Sequence, residues 1–216
     1  LELLHNFDEM YSNVLAVFLD ENSGFPGAGR NRGLDLASGE YVIFADHDDS
    51  YVENAFEVMY NEITKENADF LITNFYKVYE NESVKDNIRF LEGMLCEDVY
   101  VATLGCLKAN GIIYLNDFYS YNYKIRDVEG NKSTIHIRNR KYIEAMLNGY
   151  YEIAKMLENE NKTGYGKEIF RQHLTSWLYT IVLSELDSSD KKELFAKSHD
   201  IFKMYYTQDP YFKKRY

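Results

Sequence analysis

The first 135 residues alternate short apolar runs with segments that have helical spacing. Three runs are of strand length, namely Val14–Leu19, Tyr41–Ala45 and Asp69–Asn74, and the segment 53–66 between the last two has an apolar helical stripe. Strands that are apolar along their whole length are typical of a sheet that helices cover on both sides. The alternation therefore predicts an α/β fold with a mostly parallel sheet sandwiched by helices.

From about residue 137 onward the apolar residues keep a helical period. The chain contains 2 prolines, and neither lies in the segments 141–159, 167–186 or 190–206. Because proline breaks a helix interior, these segments predict long amphipathic helices. We expect an α/β domain over residues 1–135 and a helical C-terminal subdomain over residues 136–216.

Charge and composition exclude several classes of protein. The 216 residues carry 24 Lys and Arg against 35 Asp and Glu, a net charge of −11, which argues against a nucleic-acid-binding surface. A hydrophobic share of 45% is too high for disorder, and no apolar run reaches the roughly 18 residues of a membrane helix. Two cysteines cannot build a disulfide framework, so we expect reduced thiols in a cytoplasmic protein.

Three carboxylates follow the second apolar run within four residues, at Asp46, Asp48 and Asp49. Adjacent negative charges repel one another unless a cation lies among them. Ligands of open α/β sheets bind at the carboxyl ends of strands, and Mg²⁺ or Mn²⁺ takes carboxylates together with a diphosphate. The pattern predicts a metal site, with a solvated acidic turn before the helix at Glu53 as the alternative.

Two further features could contribute to the same site. Residues 22–33 hold glycines at positions 24, 27, 29 and 33 beside Arg30 and Asn31, and such a loop lets the backbone approach a ligand closely. It is neither a Walker A loop nor a dinucleotide fingerprint. Glu97 and Asp98 stand between apolar stretches, which predicts a helix N-terminus that faces a cleft. There a carboxylate either serves as a general base or only caps the helix.

In combination these residues resemble a known family. The run Gly24-x-x-Gly27-x-x-Arg30-Asn31-x-Gly33 followed by Asp46-x-Asp48-Asp49 resembles the core signature of glycosyltransferase family 2, which comprises inverting, nucleotide-sugar-dependent enzymes of the GT-A fold. The later Glu97-Asp98-Val99 resembles the family's catalytic acidic pair, and Tyr121-x-Tyr123-x-x-Arg126 resembles the segment after it. The resemblance covers about residues 10–135 and implies a GT-A (Rossmann-like) catalytic domain there.

The resemblance implies a role for each matching residue of the glycine-rich and acidic segments. Asp48 would bind a divalent cation, Mn²⁺ or Mg²⁺, and Asp46 would bind the ribose or share the metal. Gly27, Arg30 and Asn31 would lie along the nucleotide sugar. The donor would be a nucleotide-diphosphate sugar, with uridine as the base by inference from the family.

The acidic pair would supply the catalysis. Asp98 would take a proton from an acceptor hydroxyl, with Glu97 beside it, and the sugar would be transferred with inversion to a glycan or glycoconjugate. The Gln-x-x-Arg-Trp motif of processive enzymes is absent from the sequence, which favours a non-processive transferase.

A basic segment offers a possible contact for phosphate. Six basic residues stand between positions 124 and 141 against two acidic ones, and Arg126 and Lys132 are the candidates for closing over the diphosphate or meeting an anionic acceptor. An exposed loop is the alternative. His136 could be a third metal ligand or a structural histidine.

The sequence departs from the family in ways that keep other functions open. The family opens with strands that nothing before Val14 supplies, so we expect N-terminal strands to be missing from this chain. A degenerate transferase module that acts in binding or assembly is one alternative, and a metal-dependent nucleotidyltransferase is another. The C-terminal helices could bind a second protomer or lie against the inner face of a membrane.

Overall fold

A computed structural model describes residues 2–47, 49–73, 77–80, 89–122, 127–128, 131–132 and 137–206 of the chain. The helices are α1 (Glu2–Met10), α2 (Gly27–Leu36), α3 (Ala55–Lys65), α4 (Glu97–Lys108), α5 (Arg140–Asn159), α6 (Thr163–Leu183) and α7 (Ser188–Tyr206). The strands are β1 (Tyr41–Ile43), β2 (Ser50–Tyr51), β3 (Phe70–Thr73), β4 (Lys77–Glu80), β5 (Ile112–Leu115), β6 (Tyr121–Asn122), β7 (Asp127–Val128) and β8 (Asn131–Lys132).

The main sheet has the strand order β1-β4-β3-β5. Strands β3 and β5 are parallel, whereas β4 runs antiparallel to both β1 and β3. Three of the four strands therefore run in one direction, and β4 lies among them in the opposite one. Two short antiparallel pairs, β2 with β6 and β7 with β8, complete the strand pairings of the described residues.

Helices cover both faces of this sheet. Neighbouring residues of a strand point to opposite faces, and in β3 both Phe70 and Leu71 are buried. Phe70 belongs to a core that includes residues of α4 to α7, whereas Leu71 packs with Met59 and Ile63 of α3. The predicted α/β fold with helices on both faces is confirmed.

The long helices near the C-terminus are also confirmed. Helices α5, α6 and α7 share a core in which the rings of Tyr150 and Trp177 lie 4.0 Å apart. Phe70 and Val101 of the α/β part belong to the same core, so the two parts pack against each other. The predicted boundary at residues 135 and 136 falls outside the described residues and stays a prediction. Within the described ranges, no helix has both the length and the apolar character needed to cross a membrane.

One local prediction was wrong. The apolar run Val14–Leu19 forms no strand, and five of its six side chains are exposed. A strand needs a neighbour for its backbone hydrogen bonds, and none of the described strands pairs with this run. Helix α2 begins at Gly27, inside the glycine-rich segment, because Pro26 adopts helical angles (φ −73°, ψ −17°) and its carbonyl accepts the Arg30 N–H.

Gly149 marks the closest approach between α5 and the segment before α4. A Cβ atom built on Gly149 would lie 2.0 Å from the carbonyl oxygen of Leu95, a backbone atom that cannot rotate away. We expect Gly149→Ala to lower the free energy of unfolding by about 1–3 kcal/mol, as overpacking of a tight contact does.

The matched control is Gly164→Ala in the first turn of α6, where an added Cβ would meet nothing within 4 Å. It should leave stability unchanged or raise it by up to about 1 kcal/mol, because alanine favours a helix over glycine. Urea denaturation of both variants measures the difference, and equal midpoints would contradict the close contact.

Candidate active site

Arg30 joins two carboxylates that are far apart in the sequence. Its Nη2 donates to Oδ1 of Asp46 at 2.6 Å, and its Nη1 donates to Oε1 of Glu97 at 2.8 Å. The guanidinium also lies over the ring of Phe90, with Cζ 5.2 Å from the ring centroid. The side chain of Arg30 is only 18% exposed, so these charges interact in a partly desolvated setting. The structure thus brings together residues of α2, of the turn after β1 and of the α4 N-terminus.

A tyrosine from β6 holds the acidic turn that follows β1. The hydroxyl of the buried Tyr121 accepts from the backbone N–H of Asp46 at 3.3 Å and donates to Oδ2 of Asp49 at 2.5 Å. Within the turn, the Asp49 N–H donates to the Asp46 carbonyl at 3.2 Å. Tyr51, whose ring lies 4.9 Å from that of Tyr121, donates its own hydroxyl to the Phe44 carbonyl. These bonds fix where the carboxylates of the turn lie relative to the sheet.

The first turn of α2 lies directly against the segment 90–92. A Cβ on Gly27 would lie 2.4 Å from the Leu91 carbonyl oxygen, so only glycine fits this contact. The amide of Asn31 accepts from the Phe90 N–H at 2.8 Å, and it donates to the Phe90 carbonyl and to Glu92. The nucleotide-binding roles of Gly27 and Asn31 stay predictions. In the structure both residues join α2 to the segment that leads to α4.

Glu97 and Asp98 occupy the first turn of α4, as predicted, but their surroundings differ. Glu97 is 6% exposed, whereas Asp98 is exposed and accepts the N–H of Val99 at 2.8 Å. Burial, together with the neighbouring charge of Asp98, raises the pKa of the Glu97 carboxyl, although Arg30 acts in the opposite direction. Glu97 is therefore a buried partner of Arg30, and Asp98 is the carboxylate that solvent or a ligand can reach.

Residues from the helical subdomain lie within electrostatic reach of Asp98. Burial raises the pKa of the Cys96 thiol to about 12, and the charge of Asp98 contributes to this increase. Burial also raises the pKa of the Tyr150 hydroxyl and lowers that of His173, and in both cases the Asp98 charge contributes a smaller upward effect. Asp98 therefore lies where the α4 N-terminus meets α5 and α6.

The carboxylates suit a divalent cation by their chemistry. Asp46 and Asp49 lie in the turn after a strand and offer only oxygen atoms, which Mg²⁺ and Mn²⁺ accept alongside water and phosphate. In the described part of the chain, however, no three His, Cys, Asp or Glu side chains form a group that could hold a metal. The predicted ligands Asp48 and His136 lie outside the described residues, as does Arg126. For Lys132 the structure describes only the backbone, in β8.

A comparison with protein families decides what kind of chain carries this site. The model of the family described as "Glycosyl transferase family 2" matches residues 1–114. The chain belongs to glycosyl transferase family 2. The matched region contains Arg30, Asp46, Glu97 and Asp98, so it covers the ion-paired part of the site. The family resemblance of the sequence is confirmed.

Curated relatives match short stretches of the chain. A poly(ribitol-phosphate) beta-glucosyltransferase of Bacillus spizizenii is 40% identical over 67 residues, which are 31% of this chain and 10% of that protein. A cholesterol galactosyltransferase of Borreliella burgdorferi is 38% identical over 71 residues, or 33% of this chain and 19% of that protein. The matches thus span about a tenth to a fifth of these relatives.

Solved structures support the fold over almost the whole chain. The structure of Staphylococcus aureus TarS 1-349 in complex with UDP-GlcNAc aligns with a TM-score of 0.67 at 20% identity and covers 93% of this chain and 68% of that one. A second TarS structure aligns with a TM-score of 0.55 at 19% identity, over 93% of this chain and 35% of that chain. This likeness confirms the GT-A-like fold class.

Two contacts of the site could not be foreseen from the sequence. Tyr121 stands in a tyrosine-rich stretch that resembles a segment of the family, but nothing in the sequence indicated its bonds to the acidic turn. The bond between Asn31 and Phe90 joins residues 59 positions apart, and no local pattern predicts such a pairing.

The raised pKa of Glu97 predicts a pH-dependent contribution to stability. An unfolded glutamate loses its proton near the ordinary value of 4.5, whereas folded Glu97 keeps its proton to higher pH. The stability that the protonated form confers is therefore complete below 4.5 and is lost as pH rises through the folded pKa. We therefore compare the free energies of unfolding of the wild type and of Glu97→Gln. The wild-type value minus the variant value should decrease as the pH rises from 4.5 through the folded pKa of Glu97.

Urea denaturation at a series of pH values measures this difference. Glu158→Gln, at an exposed position of α5, controls for the substitution itself. A difference that increases with pH would contradict the prediction, since it would mean that the ion pair with Arg30 outweighs the cost of burying the carboxylate.

Proposed function

We propose that the protein is a glycosyltransferase that moves a sugar from a nucleotide-diphosphate sugar to a hydroxyl group of a glycan or glycoconjugate, non-processively and with inversion at the anomeric carbon. The observation that carries this proposal is the Arg30 bridge, which places the acidic turn at Asp46 beside the Glu97–Asp98 pair. One site then contains residues that can bind the donor and a base that can take the proton of the acceptor hydroxyl.

The donor is proposed to be a UDP-sugar. Support comes from family membership and from the TarS neighbour, whose structure contains UDP-GlcNAc. Arg30, with its fixed fork of N–H donors, suits phosphate as well as carboxylate, and it lies in the first turn of α2, within the glycine-rich segment. Gly27 and Asn31 line the same end of α2.

Asp98 is proposed as the catalytic base. It is exposed, so its carboxylate is accessible to an acceptor hydroxyl and can take that proton. The acceptor oxygen then forms a bond to the anomeric carbon as the bond from that carbon to the diphosphate breaks. The nucleoside diphosphate leaves with the electron pair. Attack from the face opposite the leaving group gives inversion.

A divalent cation is proposed to assist the departure of the diphosphate. Asp48 and Asp46 would hold Mn²⁺ or Mg²⁺, with His136 as a further ligand, and the bound ion would neutralise charge on the leaving group. Arg126 and Lys132 are proposed to contact the diphosphate or an anionic acceptor. An acceptor of that kind agrees with the name of the poly(ribitol-phosphate) beta-glucosyltransferase relative.

Removal of the base should slow the transfer strongly. In the full-length protein, Asp98→Asn should lower kcat by at least about 100-fold, because a positioned base contributes 10²–10⁴-fold, whereas the donor KM should change little. Release of nucleoside diphosphate from a panel of nucleotide sugars, with poly(ribitol phosphate) among the acceptors, measures this effect.

The matched control is Asp200→Asn, which changes an exposed aspartate of α7 and should retain full activity. Full activity of Asp98→Asn would contradict the role of Asp98. Release of pyrophosphate instead of nucleoside diphosphate would indicate a nucleotidyltransferase, and the absence of any donor binding in calorimetry would indicate a binding module.

Metal removal tests the cation separately. Treatment of the full-length protein with EDTA should abolish nucleoside diphosphate release, and added Mn²⁺ or Mg²⁺ should restore it. Calorimetric titration of the EDTA-treated protein with Mn²⁺ should show binding that Asp46→Asn weakens. Unchanged activity in EDTA would contradict the metal-assisted mechanism and leave the proposed transfer intact.

A further inference from the structure

Tyr121 is held in place by contacts that do not involve the acidic turn. It lies in β6, where its partner in the pairing with β2 is Tyr51, and it is 4% exposed. The preceding residue, Ser120, is fully buried. Its carbonyl accepts the N–H of Val52 at 2.9 Å, and its hydroxyl is hydrogen bonded to that of Thr73 in β3 at 2.7 Å. The hydroxyl of Tyr121 is therefore presented to the turn from a fixed backbone.

This hydroxyl holds the acidic turn at both of its ends. It accepts the backbone N–H of Asp46 at 3.3 Å and donates to Oδ2 of Asp49. Within the turn, the Asp49 N–H donates to the Asp46 carbonyl at 3.2 Å. A hydrogen bond to a carboxylate is roughly twice as strong as one between neutral groups. One hydroxyl thus restrains the first and the last residue of the segment 46–49, which includes Asp48.

Asp46 connects this restraint to the rest of the site. Its carboxylate is bonded to Arg30 at 2.6 Å, and Arg30 is bonded to Glu97 at 2.8 Å. The Asp46 side chain is 39% exposed, so a ligand can reach it while Arg30 holds it. Tyr121 in β6 is therefore linked through Asp46 and Arg30 to the start of α4, with a direct contact at each step.

We propose that Tyr121 is a positioning residue for the donor side of the site: its hydroxyl fixes the turn 46–49 at both ends, and so sets where Asp46 and Asp48 meet the cation and the diphosphate. The proposal rests on the function proposed above. The family model matches residues 1–114, so Tyr121 lies beyond the region over which membership was assigned. Tyr121 acts through the turn and is itself neither a metal ligand nor a base.

Tyr121→Phe is the sharpest test, because it keeps the buried ring and removes only the hydroxyl. In the EDTA-treated full-length protein, calorimetric titration should give a Kd for Mn²⁺ about 10- to 100-fold above that of the wild type, the usual effect of removing a group that orients metal ligands. With Mn²⁺ and donor both saturating, kcat should stay within about threefold, because binding is what the variant loses. Loss of folded protein alone would instead lower kcat and the number of Mn²⁺ sites without changing the Kd.

The matched control is Tyr119→Phe, which removes the hydroxyl of an exposed tyrosine close to Tyr121 in the sequence. This variant should leave the Kd for Mn²⁺ and kcat unchanged. Circular dichroism at the assay temperature checks that both variants are folded. An unchanged Kd in Tyr121→Phe would overturn the proposal, as would a wild type that binds no Mn²⁺.

A double-mutant cycle with Asp49→Asn tests whether the effect passes through the turn. Because Asp49 accepts the Tyr121 hydroxyl, the loss of Mn²⁺ affinity caused by Tyr121→Phe should be smaller in the Asp49→Asn background than in the wild type. Losses that multiply in the double variant would overturn the proposal, since the two residues would then act independently.

Amide hydrogen exchange provides a readout that depends on neither activity nor metal. The Asp49 N–H keeps its acceptor, the Asp46 carbonyl, when the Tyr121 hydroxyl is removed. Its exchange should nevertheless be several-fold faster in metal-free Tyr121→Phe, because the turn has lost its restraint, and unchanged in Tyr119→Phe. Unchanged exchange in Tyr121→Phe would overturn the proposal. A wild type that releases no nucleoside diphosphate but shows this Mn²⁺ and exchange pattern would refute the proposed transfer and support the positioning role.

Discussion

The cation of Arg30 is the constraint on which the candidate site depends. It lies between Asp46 and Glu97, whose carboxylates come from segments 51 residues apart in the chain, and it bonds to both. Without a cation, two carboxylates gathered in a partly desolvated site would repel each other. The net charge of −11 makes this arrangement more demanding, because the chain has an excess of acidic groups. Arg30 thus makes it possible for α2, the turn after β1 and the start of α4 to converge.

The elements that carry these groups are fixed by contacts between backbones. Gly27 brings α2 against the Leu91 carbonyl, and Gly149 brings α5 against the Leu95 carbonyl. Both contacts hold the segment that leads into α4. Gly27 makes its contact from the α/β part, and Gly149 makes its contact from the helical subdomain. Glycine is required at each because a side chain would meet backbone oxygen, which cannot move aside as a flexible side chain does. The start of α4 is therefore positioned jointly by the α/β part and the helical subdomain.

The sequence predicted those features that local pattern determines. Apolar runs at β1 and β3, the helical stripe of α3 and the proline-free helices α5 to α7 were all recognisable, as was the acidic pair at the start of α4. The sequence patterns gave wrong predictions where the local structure depends on pairing with another segment of the chain. Val14–Leu19 has the composition of a strand and forms none, since no described strand pairs with it.

The contacts within the site show the same limit. The sequence placed Arg30, Asp46 and Glu97 in one site through the family resemblance, but not the ion pairs that join them. It did not indicate Tyr121 as a partner of the acidic turn or Asn31 as a partner of Phe90. Each of these bonds links elements that are distant in sequence. Such pairings follow from the packing of the whole chain and leave no periodic signal.

The environments of Glu97 and Asp98 suit these two adjacent carboxylates to different proposed roles. Glu97 is buried and bonded to Arg30, so its interactions are directed into the protein. Asp98 is one residue further around the helix, exposed, and close enough to Cys96, Tyr150 and His173 for its charge to act on them. A base must reach the proton that it takes, which favours Asp98, whereas a carboxylate that organises a site is best held in place, which favours Glu97. Because neighbouring helical positions point about 100° apart, one helix N-terminus can carry both functions without either residue changing place.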